Sequence, residues 1–249
     1  MKAPVVELEG VALQFGDNVI LKNLNLRVEE GERLVVLGQS GGGKSTILRL
    51  ILGMLRPTSG TVKFRGHEIP KLSRRRLNLV RQRMGMVYQY SALISSMSVR
   101  DNLALPLEEL TKKPRAEIDQ LVKEKLEIVD MAGSEDKLPS ELSGGMRKRI
   151  SLARTLMFQP ELVLYDEPSA GLDPVISAVI DDLMISTSEQ TGATSIIVTH
   201  ELDSAFRIAT RMAMLADGEI IADGTPDEFN DHPDPRVRKF VQSDVRSHA

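Results

Sequence analysis

Leu34-Val35-Val36-Leu37-Gly38-Gln39-Ser40-Gly41-Gly42-Gly43-Lys44-Ser45-Thr46 is an apolar run that breaks into glycines, then a lysine and two hydroxyls. The spacing G-x-x-x-x-G-K-S is met by Gly38, Gly43, Lys44 and Ser45, and Ile47-Leu48-Arg49-Leu50-Ile51-Leu52 follows in helical pattern. This order predicts a strand, a phosphate-binding loop and a helix. Glycines let backbone amides turn toward a polyphosphate with no Cβ in the way, and the helix adds the positive end of its dipole. The candidate phosphate-binding residues are therefore Gly38, Gln39, Ser40, Gly41, Gly42, Gly43, Lys44, Ser45 and Thr46. Lys44 is expected along the β- and γ-phosphates and the Ser45 hydroxyl on magnesium. The alternative is an ordinary glycine-rich turn that caps a helix.

The chain has 249 residues, 41% of them hydrophobic, enough to bury a sizeable core in one domain with or without an inserted lobe. A formal net charge of -3 gives no global electrostatic footprint for nucleic acid. No cysteine is present, which excludes a disulfide framework and a thiolate metal site and suits a reducing compartment. The start, Met1 to Gly10, has a proline and two acids where a signal peptide needs an apolar core, and no apolar run is long enough to cross a bilayer. If the protein works at a membrane, a partner must hold it there.

Upstream of the loop, Val5 to Val28 alternates apolar and polar residues around a turn at Gly16-Asp17-Asn18, which predicts short antiparallel strands. Phe15 precedes that turn, where an aromatic either stacks on an adenine ring or simply packs. Downstream, Thr61 to Gly66 reads as another strand and turn. Ser73 is placed to cap a basic helix through Arg74-Arg75-Arg76 to Arg83, as a solvated face or a contact to lipid headgroups. Met84 to Gln89 reads as a strand ending in a glutamine. Tyr90 to Val99 is a loop with apolar side chains, and Arg100 to about Met131 is helical in two segments.

Leu142-Ser143-Gly144-Gly145-Met146 is a second glycine-bearing helix start, able to bind a phosphate by the physics of the first loop or to act as a plain cap. Leu162-Val163-Leu164-Tyr165-Asp166-Glu167 is a buried strand with two carboxylates at its carboxyl end, where open α/β sheets place ligands. Adjacent acids there are costly unless a cation offsets them. Asp166 is expected to hold the magnesium shell through water, and Glu167 to accept a proton from the water that attacks the γ-phosphate. Ser169 to Pro174 turns into another helix. Thr194 to His200 is a further core strand whose terminal His200 is placed to bond the γ-phosphate, the other reading being a structural histidine.

Together these motifs resemble the ATPase subunits of ABC transporters over nearly the whole chain: Phe15, Gly38 to Ser45, Gln89, Leu142 to Gly145, Leu162 to Glu167, Asp173 and His200. The resemblance implies an α/β P-loop NTPase (RecA-like) ABC ATPase core with an N-terminal antiparallel β subdomain and an inserted α-helical subdomain. The expected boundaries are 1–90 with 158–230 for the core, 91–157 for the helical insertion, and 231–249 for the tail. It implies ATP and Mg2+ as ligands, and two ATP molecules sandwiched between two copies, with Ser143, Gly144, Gly145 and Met146 facing the other copy's phosphate loop. Gln89 is implied as a ligand of magnesium and a sensor of the membrane partner, and Asp173 as a contact between the copies. One position departs from the family pattern: Met146 stands where glutamine is usual.

A narrower likeness to ATPases of the Mla phospholipid transporter and other MCE-associated systems rests on several segments. These are Arg83-Met84-Gly85-Met86 leading to Gln89, Ala92-Leu93, Met97-Ser98-Val99, Asp101-Asn102, Pro106-Leu107, Pro139 to Met146 and Asp234 to Arg238. It implies a permease, an MCE lipid-binding subunit and a small STAS-domain protein as partners, no nucleic acid, and a peripheral place on the cytoplasmic face of the bacterial inner membrane. The loop after Gln89, with Leu93, Ile94 and Met97, is expected to meet the permease or else to pack within the helical lobe. The alternatives are the ATPase of a small-solute importer for amino acids or ions, and a DNA-repair ABC ATPase. The latter usually carries coiled coils or zinc modules that a compact lobe without cysteine lacks.

Overall fold

The computed structural model describes residues 3–245. Met1 and Lys2, on which the reading of the chain's start partly rests, and residues 246–249 of the expected tail lie outside the described residues. The chain divides into two compact units, one formed by residues up to Arg81 together with those from Thr194 onward, the other by Gln82–Ala193.

The first unit opens with β1 (Val6–Phe15) and β2 (Asn18–Val28), an antiparallel hairpin. The strands run longer than the alternation suggests because register shifts between Leu8 and Val11 absorb an extra residue at Gly10, whose φ is 58°. Val6, Leu8, Val11 and Leu13 face inward, while Lys63 on the outer face bridges Glu7 at 3.0 Å and Glu9 at 2.7 Å. β3 (Arg33–Leu37) follows, then α1 (Lys44–Ile51). β4 (Ser59–Phe64) adds antiparallel to β1, and the two-residue β5 (His67–Glu68) adds to β4. α2 (Arg74–Arg81) is capped by the Ser73 hydroxyl, which accepts from the Arg76 amide. α2 stops two residues before the end of the basic run. The Arg81 guanidinium is spent on the Leu52 and Gly53 carbonyls just past α1, at 2.9 and 3.1 Å, where it caps orphan carbonyls of that helix end.

In the second unit β6 (Met84–Val87) pairs in parallel with β7 (Leu162–Asp166). An Arg83–Glu161 fork at 2.6 and 3.0 Å fixes the start of both strands. β6 ends at Val87, so Gln89 lies in the bend beyond it and not at the strand's last position as expected. Between the strands lie α3 (Val99–Leu110), α4 (Arg115–Ile128) and α5 (Gly144–Thr155). α3 carries Pro106 inside it and is capped by Ser98, whose hydroxyl accepts from the Asp101 amide at 3.1 Å. Arg100 ties α3 to α4 through Asp119 at 2.7 Å. α6 (Pro174–Thr191) follows β7 and ends at Gly192 with φ 69°, the left-handed turn that glycine permits.

The chain then returns to the first unit. β8 (Thr194–Val198) and β9 (Arg211–Ala216) flank β3 in parallel register, and β10 (Glu219–Gly224) closes on β9 antiparallel. Covered on both edges by strands, Leu34, Val35, Val36 and Leu37 are fully buried, which explains the unbroken apolar run of the sequence. β8 ends at Val198, so His200 sits two residues beyond the strand that was expected to end on it. α7 (Leu202–Ile208), α8 (Pro226–Asn230) and α9 (Pro235–Val245) complete the unit, with Thr225 and Glu228 forming a capping box at α8.

Candidate nucleotide site

In the first unit the segment after β3 is built on glycines for two separate reasons. Gly38 has φ 153° and a Cβ there would stand 2.4 Å from the Leu215 carbonyl oxygen, so the loop lies directly against β9. Gly43 has φ 100° and is the residue that starts α1. Lys44 folds back over the loop, donating to the Gly38 carbonyl at 2.8 Å and the Gln39 carbonyl at 3.2 Å. The Gly42 amide also bonds the Gln39 carbonyl, at 3.1 Å. Gln39, Ser40 and Gly41 remain exposed. α1 has no acidic residue in its first turn and no side-chain cap at Gly43. A buried cation and a helix start without a side-chain cap meet in one glycine-rich loop, an arrangement that suits a phosphate chain.

A groove of about 860 Å³ runs beside the loop, lined by Gln39–Gly42, by Val19 and Ile20 of β2, and by Arg236 and Lys239 of α9. Phe15 ends β1 with 55% of its surface exposed, available for stacking and not packed in the core. His200 is exposed beyond β8.

In the second unit Asp166 ends β7 and Glu167 follows, both half-buried. Glu167 holds φ 49°, a left-handed conformation that costs a non-glycine residue about 1–3 kcal/mol and is found at functional positions. Gln89 is exposed, and its carbonyl accepts from the Lys148 ammonium of α5 at 2.5 Å. Ser143 is the N-cap of α5, its hydroxyl accepting from the Met146 amide at 3.3 Å. Met146 therefore serves this cap through its backbone. Gly144 and Gly145 are in the first turn, whose amides have no intrahelical acceptor. A Cβ would stand 3.3 Å from Leu172 at Gly144 and 2.7 Å from Ile176 at Gly145, so both glycines also let the start of α5 meet the start of α6. Asp173 caps α6, accepting from the Val175 and Ile176 amides at 3.1 and 3.0 Å.

A model of the ABC transporter family matches residues 21–170, more than half of the chain. The chain belongs to the ABC transporter ATPase family. Among relatives of this ABC ATPase, the "Intermembrane phospholipid transport system ATP-binding protein MlaF" of Haemophilus influenzae is 40% identical, over 98% of this chain and 92% of the relative. The "Probable ribonucleotide transport ATP-binding protein mkl" of Mycobacterium leprae is 39% identical, over 95% of this chain and 68% of the relative. Among solved structures, the ATP-binding cassette MJ0796, a dimer in a post-hydrolysis state bound to ADP and Pi, superposes with a TM-score of 0.79. It is 30% identical, over 89% of this chain and 98% of that one. As a member of the family this chain is an α/β P-loop ATPase that binds and hydrolyses ATP as a transporter subunit.

Of the residues expected at the site, Phe15, Gly38–Thr46 and His200 belong to the first unit of this ABC ATPase, and Gln89, Ser143–Met146, Asp166, Glu167 and Asp173 to the second. Within the second unit, Ser143–Gly145 is brought against the turn that carries Asp173, and Gln89 against α5. Three polar side chains that sequence reasoning missed hold the loop after Gln89, namely Asn102, Lys148 and Arg154. Burial pushes the Arg154 guanidinium below its ordinary value, with Tyr88 acting the other way. The available signal was a polar stripe at Lys148, Ser151 and Thr155 along a helix that must bury that face.

Proposed function

We propose that this ABC ATPase works as a pair of copies closing around two ATP molecules and drives a permease that moves phospholipid. The observation that carries this reading is that one chain holds two separate glycine-bearing helix starts, the loop before α1 and the Ser143 cap of α5, each suited to an anion. Each is half of a sandwich that a second copy completes. The MJ0796 cassette, a dimer with ADP and Pi, supports the pairing.

Lys44 and the amides of Gly38, Gln39, Ser40, Gly41, Gly42, Gly43, Ser45 and Thr46 hold the polyphosphate, and Phe15 stacks on the base. Ser143, Gly144, Gly145 and Met146 serve the ATP of the other copy, with Asp173 at the contact between copies. No group of three or more His, Asp or Glu side chains able to hold a metal occurs among the described residues. Ser45, Gln89 and Asp166 are the chain's own oxygen donors for a divalent cation, a set that suits magnesium. A magnesium ion held there would supply positive charge against the β- and γ-phosphates. Glu167 accepts the proton of the attacking water and His200 bonds the γ-phosphate.

The phospholipid cargo is supported by the name of the Haemophilus relative and by the segments shared with MCE-associated ATPases. The same likeness supports an MCE lipid-binding subunit and a small STAS-domain protein as partners and a core at 1–90 and 158–230 around a helical insertion at 91–157. No helix among the described residues is long and apolar enough to cross a membrane. In this reading the permease holds the chain at the cytoplasmic face of the inner membrane. The Mycobacterium relative, at 39% identity, gives ribonucleotide transport as a second reading. Purification of the tagged chain from membranes separates them. Recovery with a lipid permease and an MCE subunit is expected, and recovery with a polar-solute permease alone overturns the lipid reading.

A further inference from the structure

The loop after Gln89 carries no helix or strand of its own; apart from the Ala92 amide on the Tyr90 carbonyl and the Met97 amide on the Ile94 carbonyl, its backbone groups need partners elsewhere. They find them in side chains of two helices. From α5, the Lys148 ammonium donates to the Gln89 carbonyl at 2.5 Å, and the Arg154 guanidinium to the Ala92 carbonyl at 2.7 Å and the Ser91 carbonyl at 3.3 Å. At the next residue, the last of α5, the Thr155 hydroxyl donates to the Met86 carbonyl at 3.2 Å, and Gly85 lets β6 approach so closely that a Cβ would stand 2.3 Å from the Thr155 methyl. From α3, buried Asn102 accepts from the Ile94 amide at 2.8 Å and donates to the Ile94, Met97 and Ser98 carbonyls at 3.0–3.1 Å.

α5 is the helix that begins at Ser143. Lys148 is buried with 7% of its surface exposed, and a buried cation is costly to hold unless it is well bonded. The loop meanwhile offers apolar surface outward, Tyr90 at 83% and Ile94 at 38% exposure.

We infer that Lys148 and Arg154 are positioning residues that fasten the Gln89 loop to α5, so that displacement of the exposed loop by a partner is delivered to Ser143 as movement of one body. This rests on the reading of Gln89 and Ser143 as parts of the ATP site. The two cations act through the carbonyls they hold. Charge-assisted bonds suit this task because they are stronger than neutral ones and, from the ends of long side chains, span the gap between a helix and an irregular loop. Asn102 holds the far end of the same loop, leaving Tyr90 and Ile94 as handles on a fixed backbone.

The test uses the full chain bearing Lys148→Met or Arg154→Met, with Arg154→Lys as the conservative variant. Without nucleotide, hydrogen exchange of amides 90–93 is expected to speed up about tenfold or more, as follows from losing one charge-assisted hydrogen bond in Lys148→Met and two in Arg154→Met, with strands β6 and β7 unchanged. In the complex with its permease, kcat for ATP is expected to fall about tenfold while KM changes less than about twofold, since the loss is of transmission and not of binding. Arg154→Lys keeps the charge with a single donor head and is expected to restore part of both, which keeps the test open if a methionine variant fails to fold. Unchanged exchange at 90–93 overturns the fastening, and faster exchange with unchanged kcat overturns the transmission. If the unaltered chain shows no ATP hydrolysis with its permease, the proposed function fails instead, and the exchange result still decides the fastening.

Discussion

The Lys44 ammonium donates to the Gly38 carbonyl at 2.8 Å, so the last charged residue of the phosphate loop closes back on its first glycine. With 5% of its surface exposed, Lys44 shapes the loop as well as supplying charge. Lys44→Met takes the ammonium donor from the Gly38 carbonyl, while the Gln39 carbonyl keeps the Gly42 amide, at a cost of about 1–3 kcal/mol in stability. It is also expected to lose most ATP affinity. Titration calorimetry checks this, and an unchanged affinity removes Lys44 from the nucleotide site.

Gly38 and Gly41 separate two ways a loop can require glycine. Gly38→Ala drives a Cβ to 2.4 Å from the Leu215 carbonyl oxygen and is expected to cost about 1–3 kcal/mol by overpacking. Gly41 has no atom within 4 Å of such a Cβ, only a φ of 77°, so Gly41→Ala costs about 1–2 kcal/mol from conformation alone. Denaturant unfolding of the two variants should rank Gly38→Ala as the more damaging.

Asp173 has a structural duty that can be told apart from a contact between copies. Its carboxylate caps the 18-residue α6 through two amides. Asp173→Ala is expected to lower stability by about 1 kcal/mol, whereas Asp173→Asn caps nearly as well. If the charge matters between copies, Asp173→Asn lowers ATP turnover at unchanged thermal midpoint. Turnover equal to the parent confines Asp173 to capping.

At the start of α9, the Arg236 side chain and amide both bond the Asp234 carboxylate, holding it at about 2 against an ordinary value of 3.8. The folded value is the lower one, so the charged carboxylate contributes to stability above the ordinary value. That contribution is lost as pH falls through about 2. Amide exchange at Arg236 and Val237 is expected to accelerate over that acid window. Asp234→Asn should abolish the response, and a carboxylate that titrates at its ordinary value would contradict the pairing.

Much of this molecule is legible in its sequence because its central strands are buried on both faces. Leu34–Leu37, Leu162–Tyr165 and Thr194–Val198 read as apolar runs, and each is a strand. The glycine spacing at Gly38 to Lys44 likewise follows from backbone geometry. Gln89 and His200 were displaced by two residues, since apolar pattern marks where a strand is buried but not where its ladder stops. The basic run at Arg74 to Arg83 read as one helix, yet Arg81 closes it by capping α1. Lys148 and Arg154 escaped notice because a helical pattern tells which face is buried and not which carbonyls wait there.

The central claim is that a second copy completes each ATP site, and Glu167→Gln tests it most directly. The amide cannot take up a proton, so turnover is expected to fall about 10²- to 10⁴-fold while ATP stays bound. Light scattering of this variant on a sizing column, with saturating ATP and magnesium, should give the mass of two chains carrying one ATP each. A single-chain mass with ATP bound would contradict the account.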